Sequence, residues 1–299
     1  MTNNSKLAQK LQSGKPAITA EILPPASADP KAVQDLAALL PGGLDAIVVA
    51  DNPEHTRGSA LACAALLAAA GRQPVLSLAT RDRNRVALES DVLGARLLGV
   101  RSFLCLSGDH QSLGISPQAA AAYDVDSIQF AAALHRIAVD GVGFDGQKTV
   151  GNGEMLIGAV AHPYLRPLEL NLIRLAKKVA AGAQFLLTQA VFDIAAFTEW
   201  MEAARARKLH EKAAIIVSVL PLTSVEHAKA RQARPTYGPV GEEVIQRLQK
   251  AADPAAEGLA ICVETIAKLR KIDGVRGIHI LSGGCEAAAG KIVEKAGLA

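Results

Sequence analysis

Residues 45–107, DAIVVADNPEHTRGSALACAALLAAAGRQPVLSLATRDRNRVALESDVLGARLLGVRSFLCLS, decide the fold. Three short apolar runs stand in this stretch: 45–50 (DAIVVA), 74–79 (PVLSLA) and 102–107 (SFLCLS), starting 29 and 28 residues apart. A strand and its crossover helix together take about 30 residues. The runs are apolar almost throughout, as parallel strands covered on both faces are. Within 87–99, Leu88, Val92 and Ala95 recur at helical spacing, so the connecting segment reads as a helix with one buried face.

The same period extends outward. A run at 17–23 (AITAEIL) precedes the stretch, and runs at 155–160 (MLIGAV), 184–188 (QFLLT), 214–220 (AIIVSVL) and 277–282 (GIHILS) follow it. Successive starts are 28, 29, 28, 53, 29, 30 and 63 residues apart, so five intervals match one strand–helix unit and two carry insertions. In 167–181, Leu168, Leu172, Leu175 and Val179 form an apolar stripe, with Glu169, Arg174, Lys177 and Lys178 largely off it. Strict alternation of eight strands with helices predicts an α/β fold: a single (β/α)8 TIM barrel spanning residues 1–299 as one domain, with an open doubly wound sheet as runner-up. The insertion after strand 4 (108–153) holds loop signals and a helix near 126–138. The one before strand 8 (221–275) holds helices near 240–250 and 255–270.

Composition narrows the function classes. Of 299 residues, 50% are hydrophobic and 20% charged, which excludes a disordered chain. Aromatics are only 3%, which favours helices packed on a sheet over a β-sandwich and leaves few rings for stacking on bases. With 32 basic and 29 acidic residues the net charge is +3, too small to argue for a polyanion partner. Cys63, Cys105, Cys262 and Cys285 show no CxxC spacing, so no metal cradle is expected and reduced thiols are. The first residues lack an apolar signal core, and Leu61–Ala70 is too short to span a bilayer. We expect a soluble, cytoplasmic protein that binds neither nucleic acid nor membrane.

Several motifs are decoys. GVGFDG (141–146) follows a helix rather than a strand, GKI (290–292) lacks P-loop spacing, the seven histidines form no HxxxH, and SGD (107–109) is no nucleophile elbow.

In such a barrel, chemistry sits at the C-terminal strand ends. Those ends offer Glu21 before Pro24-Pro25, Asp51, Ser77 and Thr80, Gly108-Asp109, His162, Gln189, and Ser282 with Cys285. Glu21 interrupts an apolar strand, where burial would raise its pKa and make it a proton donor near neutrality; a salt-bridged structural role is the alternative. Asp109, behind a glycine, suits a site beside a cofactor or a cationic intermediate, or else a turn. Gln189 can read an amide-like heterocycle edge or be a satisfied loop amide. The RDRNR run (81–85) reads mostly as a solvated helix start with Asp82 as N-cap.

These strand ends, in this order, resemble the methylenetetrahydrofolate reductase family over nearly the whole chain. AEILPP (20–25), LATRDRNR (78–85), LSGD (106–109), KKVAAGAQFLLTQAVFD (177–193), VLPLTS (219–224) and GIHILSGG (277–284) carry the likeness. The DN…TR and RDRNR blocks and EGLAICVETI (257–266) look most like members linked to corrinoid and acetyl-CoA-pathway one-carbon metabolism.

The resemblance implies a flavin-containing barrel that interconverts 5,10-methylene- and 5-methyltetrahydrofolate, the step that serves methionine biosynthesis. It implies Glu21 as the acid that protonates folate N10 and opens the ring, leaving an iminium that takes a hydride from reduced flavin. It places Asp109 beside the flavin and pterin, and Gln189 and His227 on the folate. Asp51, Ser77, Thr80, Gly108, Tyr123, His162, Arg166, Asn171, Arg174 and Lys178 would surround the flavin. Ala50 stands where many members have Thr, Ser77 replaces His, Ser107 replaces Arg, Asn171 replaces Asp, and an Arg that usually meets folate aligns near Cys285. FMN, or no tightly bound flavin, therefore stands beside FAD. The expected partners are a reduced folate and either NAD(P)H or an electron-donating partner subunit, in an oligomer. A pterin-dependent methyltransferase and a non-catalytic barrel subunit are the competing classes.

Overall fold

The computed structural model describes residues 5–53, 55–113, 116–149, 153–234 and 238–298. Parts of the predicted loop stretches at 108–117 and 141–153 (114–115 and 150–152) lie outside the described residues. The first half runs α1 (Lys6–Gln12), β1 (Ala17–Ile22), α2 (Pro30–Ala38), β2 (Ala46–Val49), α3 (Ala60–Ala69), β3 (Pro74–Ala79), α4 (Arg85–Leu97), β4 (Ser102–Leu106) and α5 (Ser127–Asp140). The second half runs β5 (Leu156–Ala161), α6 (Leu168–Ala180), β6 (Phe185–Ala190), α7 (Ile194–Ala206), α8 (Leu209–Lys212), β7 (Ala214–Val219), α9 (Val225–Gln232), α10 (Glu242–Lys250), α11 (Pro254–Leu269), β8 (Val275–Ile280) and α12 (Ala288–Lys295).

The eight strands are parallel and close into a barrel in sequence order, β8 pairing with β1. Closure excludes the open doubly wound sheet. Strand side chains alternate with period 2. Outward residues such as Ala20, Ile22, Ile47, Val49, Leu76 and Leu78 bury against the helices in one continuous layer. Inward residues Ala17, Ala46, Val48, Val75, Leu104, Phe185 and Ile216 fill the barrel itself. Gly158 is needed there, because a Cβ would stand 2.1 Å from the Phe185 ring.

α1, which the strand period did not reveal, plugs the N-terminal end of the barrel. Leu7 and Ala8 join the interior cluster. Lys6 Nζ donates to the Leu44 carbonyl (2.9 Å), and Arg276 Nη2 donates to the Leu11 carbonyl (2.6 Å). β8 begins at Val275, two residues before the apolar run at 277, because Val275 already pairs with Ile215 of β7.

The RDRNR segment departs from expectation. Asn84, not Asp82, caps α4 by accepting from Ala87 N–H, while Asp82 pairs with Arg81 at 2.7 Å. The run is not merely a solvated face. Arg83 reaches Asp51 at 2.6 Å and Asp91 at 2.8 Å, and the Asp51 side chain is only 1% exposed. Among the described residues, no helix is long and apolar enough to cross a membrane, and no group of three or more His, Cys, Asp or Glu could hold a metal ion.

Candidate active site at the C-terminal mouth of the barrel

Period-2 alternation points Glu21, Ser77, Gln189, Ser218 and His279 to the inside of the barrel. All five line one cavity of about 460 Å³ at the C-terminal mouth. Its size is that of a small-molecule site.

Glu21 stands near the end of β1, and its Oε1 accepts from Ser282 N–H at 3.3 Å. Desolvation pushes its pKa up to about 7, against the opposing pull of Ser282 and of the Arg231 charge and with the help of Glu286. A large fraction of Glu21 is therefore protonated at neutral pH, as a general acid requires. Below it His279 is buried, its Nδ1 2.9 Å from Thr19 Oγ1, and burial lowers its pKa to about 3. The imidazole is neutral and adds no charge beneath Glu21. Ser218 Oγ donates to the Thr188 carbonyl at 2.5 Å and fixes the β6–β7 side.

On the β4 side, Gly108 has φ +79°, and a Cβ there would meet Arg81 Cβ at 3.0 Å. The turn turns the chain so that Asp109 lines the cavity. Arg81 Nη1 (3.2 Å) and the Tyr123 hydroxyl (3.3 Å) both donate to the Asp109 carbonyl oxygen.

The β5–α6 side is cationic. Lys178 is buried and donates to the Val160 carbonyl (2.6 Å); burial and Arg174 lower its pKa to about 8, so it stays charged at neutral pH. His162 is held neutral, pushed down to about 4 by burial and by Lys178 and Arg174. Gln189 Nε2 lies 3.4 Å from His162 Nδ1. Asn171 Nδ2 donates to the carbonyls of His162 (2.5 Å) and Leu165 (3.1 Å), which fixes the loop after β5.

The structure thus gathers Glu21, Asp51, Ser77, Gly108, Asp109, His162, Asn171, Arg174, Lys178 and Gln189 around one cavity. Asp51 is there with its carboxylate already engaged by Arg83 and by Ala79 N–H (2.8 Å). The other predicted residues stand apart from the wall. Arg166 is exposed and pairs with Glu199 at 2.7 Å, and Thr80 is fully buried with its hydroxyl unpartnered. Tyr123 does not line the cavity; its hydroxyl donates to the Asp109 carbonyl. His227 accepts from Arg231 Nε at 3.3 Å, and it is Arg231 that lines the cavity.

Sequence reasoning missed Arg231, Arg57 and Glu286. Arg231 rides on α9, inside the insertion before β8, and Arg57 on the loop after β2. Arg57 lines the cavity, and its buried Nε has no hydrogen-bond partner among the described residues. Only the TR of the DN…TR block hinted at Arg57; nothing local marked the other two.

The donor set fits a flavin through its anionic half. Arg174 and Lys178 line the wall without an ion-pair partner among the described residues, and an anionic group would relieve their mutual repulsion. The β3–β4 wall offers smaller donors, Ser77 and Ser107, and the Ser107 hydroxyl is already committed to Ser127 Oγ (3.0 Å).

Comparison with known proteins bears on the fold and the family. An uncharacterized protein from Clostridium thermocellum that binds two copies of 5-methyl-5,6,7,8-tetrahydrofolic acid is similar in structure, with a TM-score of 0.67 at 15% identity, covering 99% of this chain and 100% of that chain. A 2,3-dimethylmalate lyase of the PEP mutase/isocitrate lyase superfamily is similar at TM-score 0.51 and 12% identity, covering 98% of this chain and 86% of that one. At such identities these likenesses speak for the fold alone. No curated protein matches the chain by sequence. The family model for methylenetetrahydrofolate reductase matches residues 6–297, and the chain belongs to that family.

Proposed function

We propose that this protein interconverts 5,10-methylene- and 5-methyltetrahydrofolate by flavin-mediated hydride transfer. The observation that carries the reading is Glu21: a carboxyl group in the cavity wall whose pKa, about 7, suits it to give and take a proton at neutral pH. Family membership, and a structural neighbour that binds a methylated reduced folate, support the substrate class.

In the reductive direction Glu21 gives its proton to N10 of the methylene-folate, which breaks the N10–methylene bond and leaves the carbon as an iminium on N5. Asp109, which lines the same cavity, is assigned as the anionic partner that stabilises this cation. Gln189, against neutral His162, offers its amide to the pterin edge. Arg174 and Lys178 would hold the phosphate of a flavin, a group that when bound would supply hydride chemistry at this site.

The test is an absorbance spectrum and a turnover assay of the purified chain with FAD or FMN added, using 5-methyltetrahydrofolate and an artificial electron acceptor. The reading expects flavin-dependent oxidation of the folate. Neither folate binding nor turnover with either flavin would sink it, and methyl transfer to a corrinoid without redox would identify a methyltransferase. Glu21→Gln is expected to lower turnover by about 10²- to 10⁴-fold while folate binding persists. A barrel that served only as a docking subunit would show no such split.

A further inference from the structure

β1 and β8 close the barrel, and at their C-terminal ends the two segments exchange carboxylates. Glu21 on β1 accepts from Ser282 N–H, beyond β8, at 3.3 Å. Glu286, four residues farther on, accepts from Leu23 N–H, beyond β1, at 3.2 Å. Each acid therefore holds a backbone amide belonging to the other strand's exit.

Glu286 is only 6% exposed, and no Lys or Arg pairs with it among the described residues. Burying a carboxylate on one amide donor costs stability. A residue serving only to hold Leu23 N–H needs no charge, since a glutamine oxygen accepts equally well. Glu286 is not among the residues that line the cavity; it bears on the site through Glu21 and through Leu23, which does line it. The charged groups that act on Glu21 are Glu286, which raises its proton affinity, and Arg231 from α9, which lowers it; the neutral His279 lies beneath.

We propose that Glu286 is a positioning residue for the acid step: across the β1–β8 seam its negative charge holds the proton on Glu21, and its bond to Leu23 keeps the end of β1 in place. The inference rests on the reading of Glu21 as the proton donor.

The test is Glu286→Gln in the full chain, which removes the charge and keeps an acceptor for Leu23 N–H. Infrared titration of the carboxyl C=O band, assigned by its loss in Glu21→Gln, reads the Glu21 proton without any need for turnover. The expected half-point is about 7 in the wild type and lower in Glu286→Gln. Glu286→Ala should give the same shift, and it carries the test if the glutamine variant does not fold. Where folate turns over, the limb of the kcat/KM profile that reports Glu21 should move with the band. An unchanged band in a folded variant overturns the inference and leaves Glu286 a structural clasp. A band that shifts in a protein that never turns over folate upholds the charge coupling and overturns the functional reading instead.

Discussion

At Glu21 one carboxyl group lies under two opposing charges, and the sign of each can be tested. Arg231 favours the ionised form, so Arg231→Gln is expected to raise the Glu21 pKa above about 7 and widen the pH range over which the acid is available. The pH profile of turnover reads this directly; a move to lower pH would contradict the assignment. Lys178 supplies a second residue-scale prediction. With its pKa lowered to about 8, its charge is present at neutral pH and lost above it. Flavin affinity is therefore expected to fall as pH rises through about 8, and Lys178→Gln should weaken binding at pH 7 by about 10-fold and flatten that dependence. Fluorescence titration of FMN or FAD at several pH values measures it. The sequence exposed Glu21 because a carboxylate inside an apolar strand is conspicuous. It could not expose Arg231 or Glu286, whose nearness to Glu21 exists only after β8 closes against β1 and α9 folds over the mouth.

Glycines show how far a single helix is fixed by its own sequence. Gly94 lies inside α4, where an added Cβ would come no nearer than 4.0 Å to Leu61 Cδ1. Gly94→Ala is expected to stabilise the protein by about 0.5–1 kcal/mol through helix propensity and a stiffer unfolded chain. Gly258 lies inside α11, and its Cβ would stand 1.8 Å from the Leu222 carbonyl oxygen. Gly258→Ala is expected to destabilise by about 2–4 kcal/mol, since backbone must move to admit it. Thermal or urea unfolding separates the two, and equal effects would refute the packing argument. Apolar spacing located α4 and α6 to within a few residues because each buries one stripe. Competition between neighbouring polar residues for the helix N-terminus was harder to read: Asp82 lost the cap to Asn84 once Arg81 had claimed its carboxylate.

For the molecule as a whole, the interior of the barrel decides stability. Leu7 from α1 is 1% exposed and seals the N-terminal end, so Leu7→Ala is expected to cost about 2–5 kcal/mol, measured by urea unfolding. His279 ties acid stability to the same interior. Its pKa falls from an ordinary 6.5 to about 3, so between those values the unfolded chain takes up a proton that the native chain refuses. Its contribution is complete above pH 6.5 and is lost as pH drops toward 3. His162, lowered to about 4, acts in the same sense, whereas Glu21 opposes both: its contribution is complete below its ordinary 4.5 and is lost as pH rises to about 7. His279→Gln is expected to lose less stability than the wild type between pH 6.5 and 4, measured as the urea midpoint at each pH.

The sequence by itself determined the alternation of eight strands with helices, the strand ends where chemistry could gather, and Glu21, Asp109 and Gln189 as the polar residues to watch. It could do so because hydrophobic period and strand–helix length are local properties, written in adjacent residues. Only the tertiary structure decided that the sheet closes, that α1 plugs it, that Asp51 is spent on Arg83, and that Arg231 and Glu286 bear on the acid. Those outcomes depend on distances between residues up to 265 apart in the chain, such as Glu21 and Glu286. Electrostatic coupling follows distance in space, which spacing along the chain does not encode.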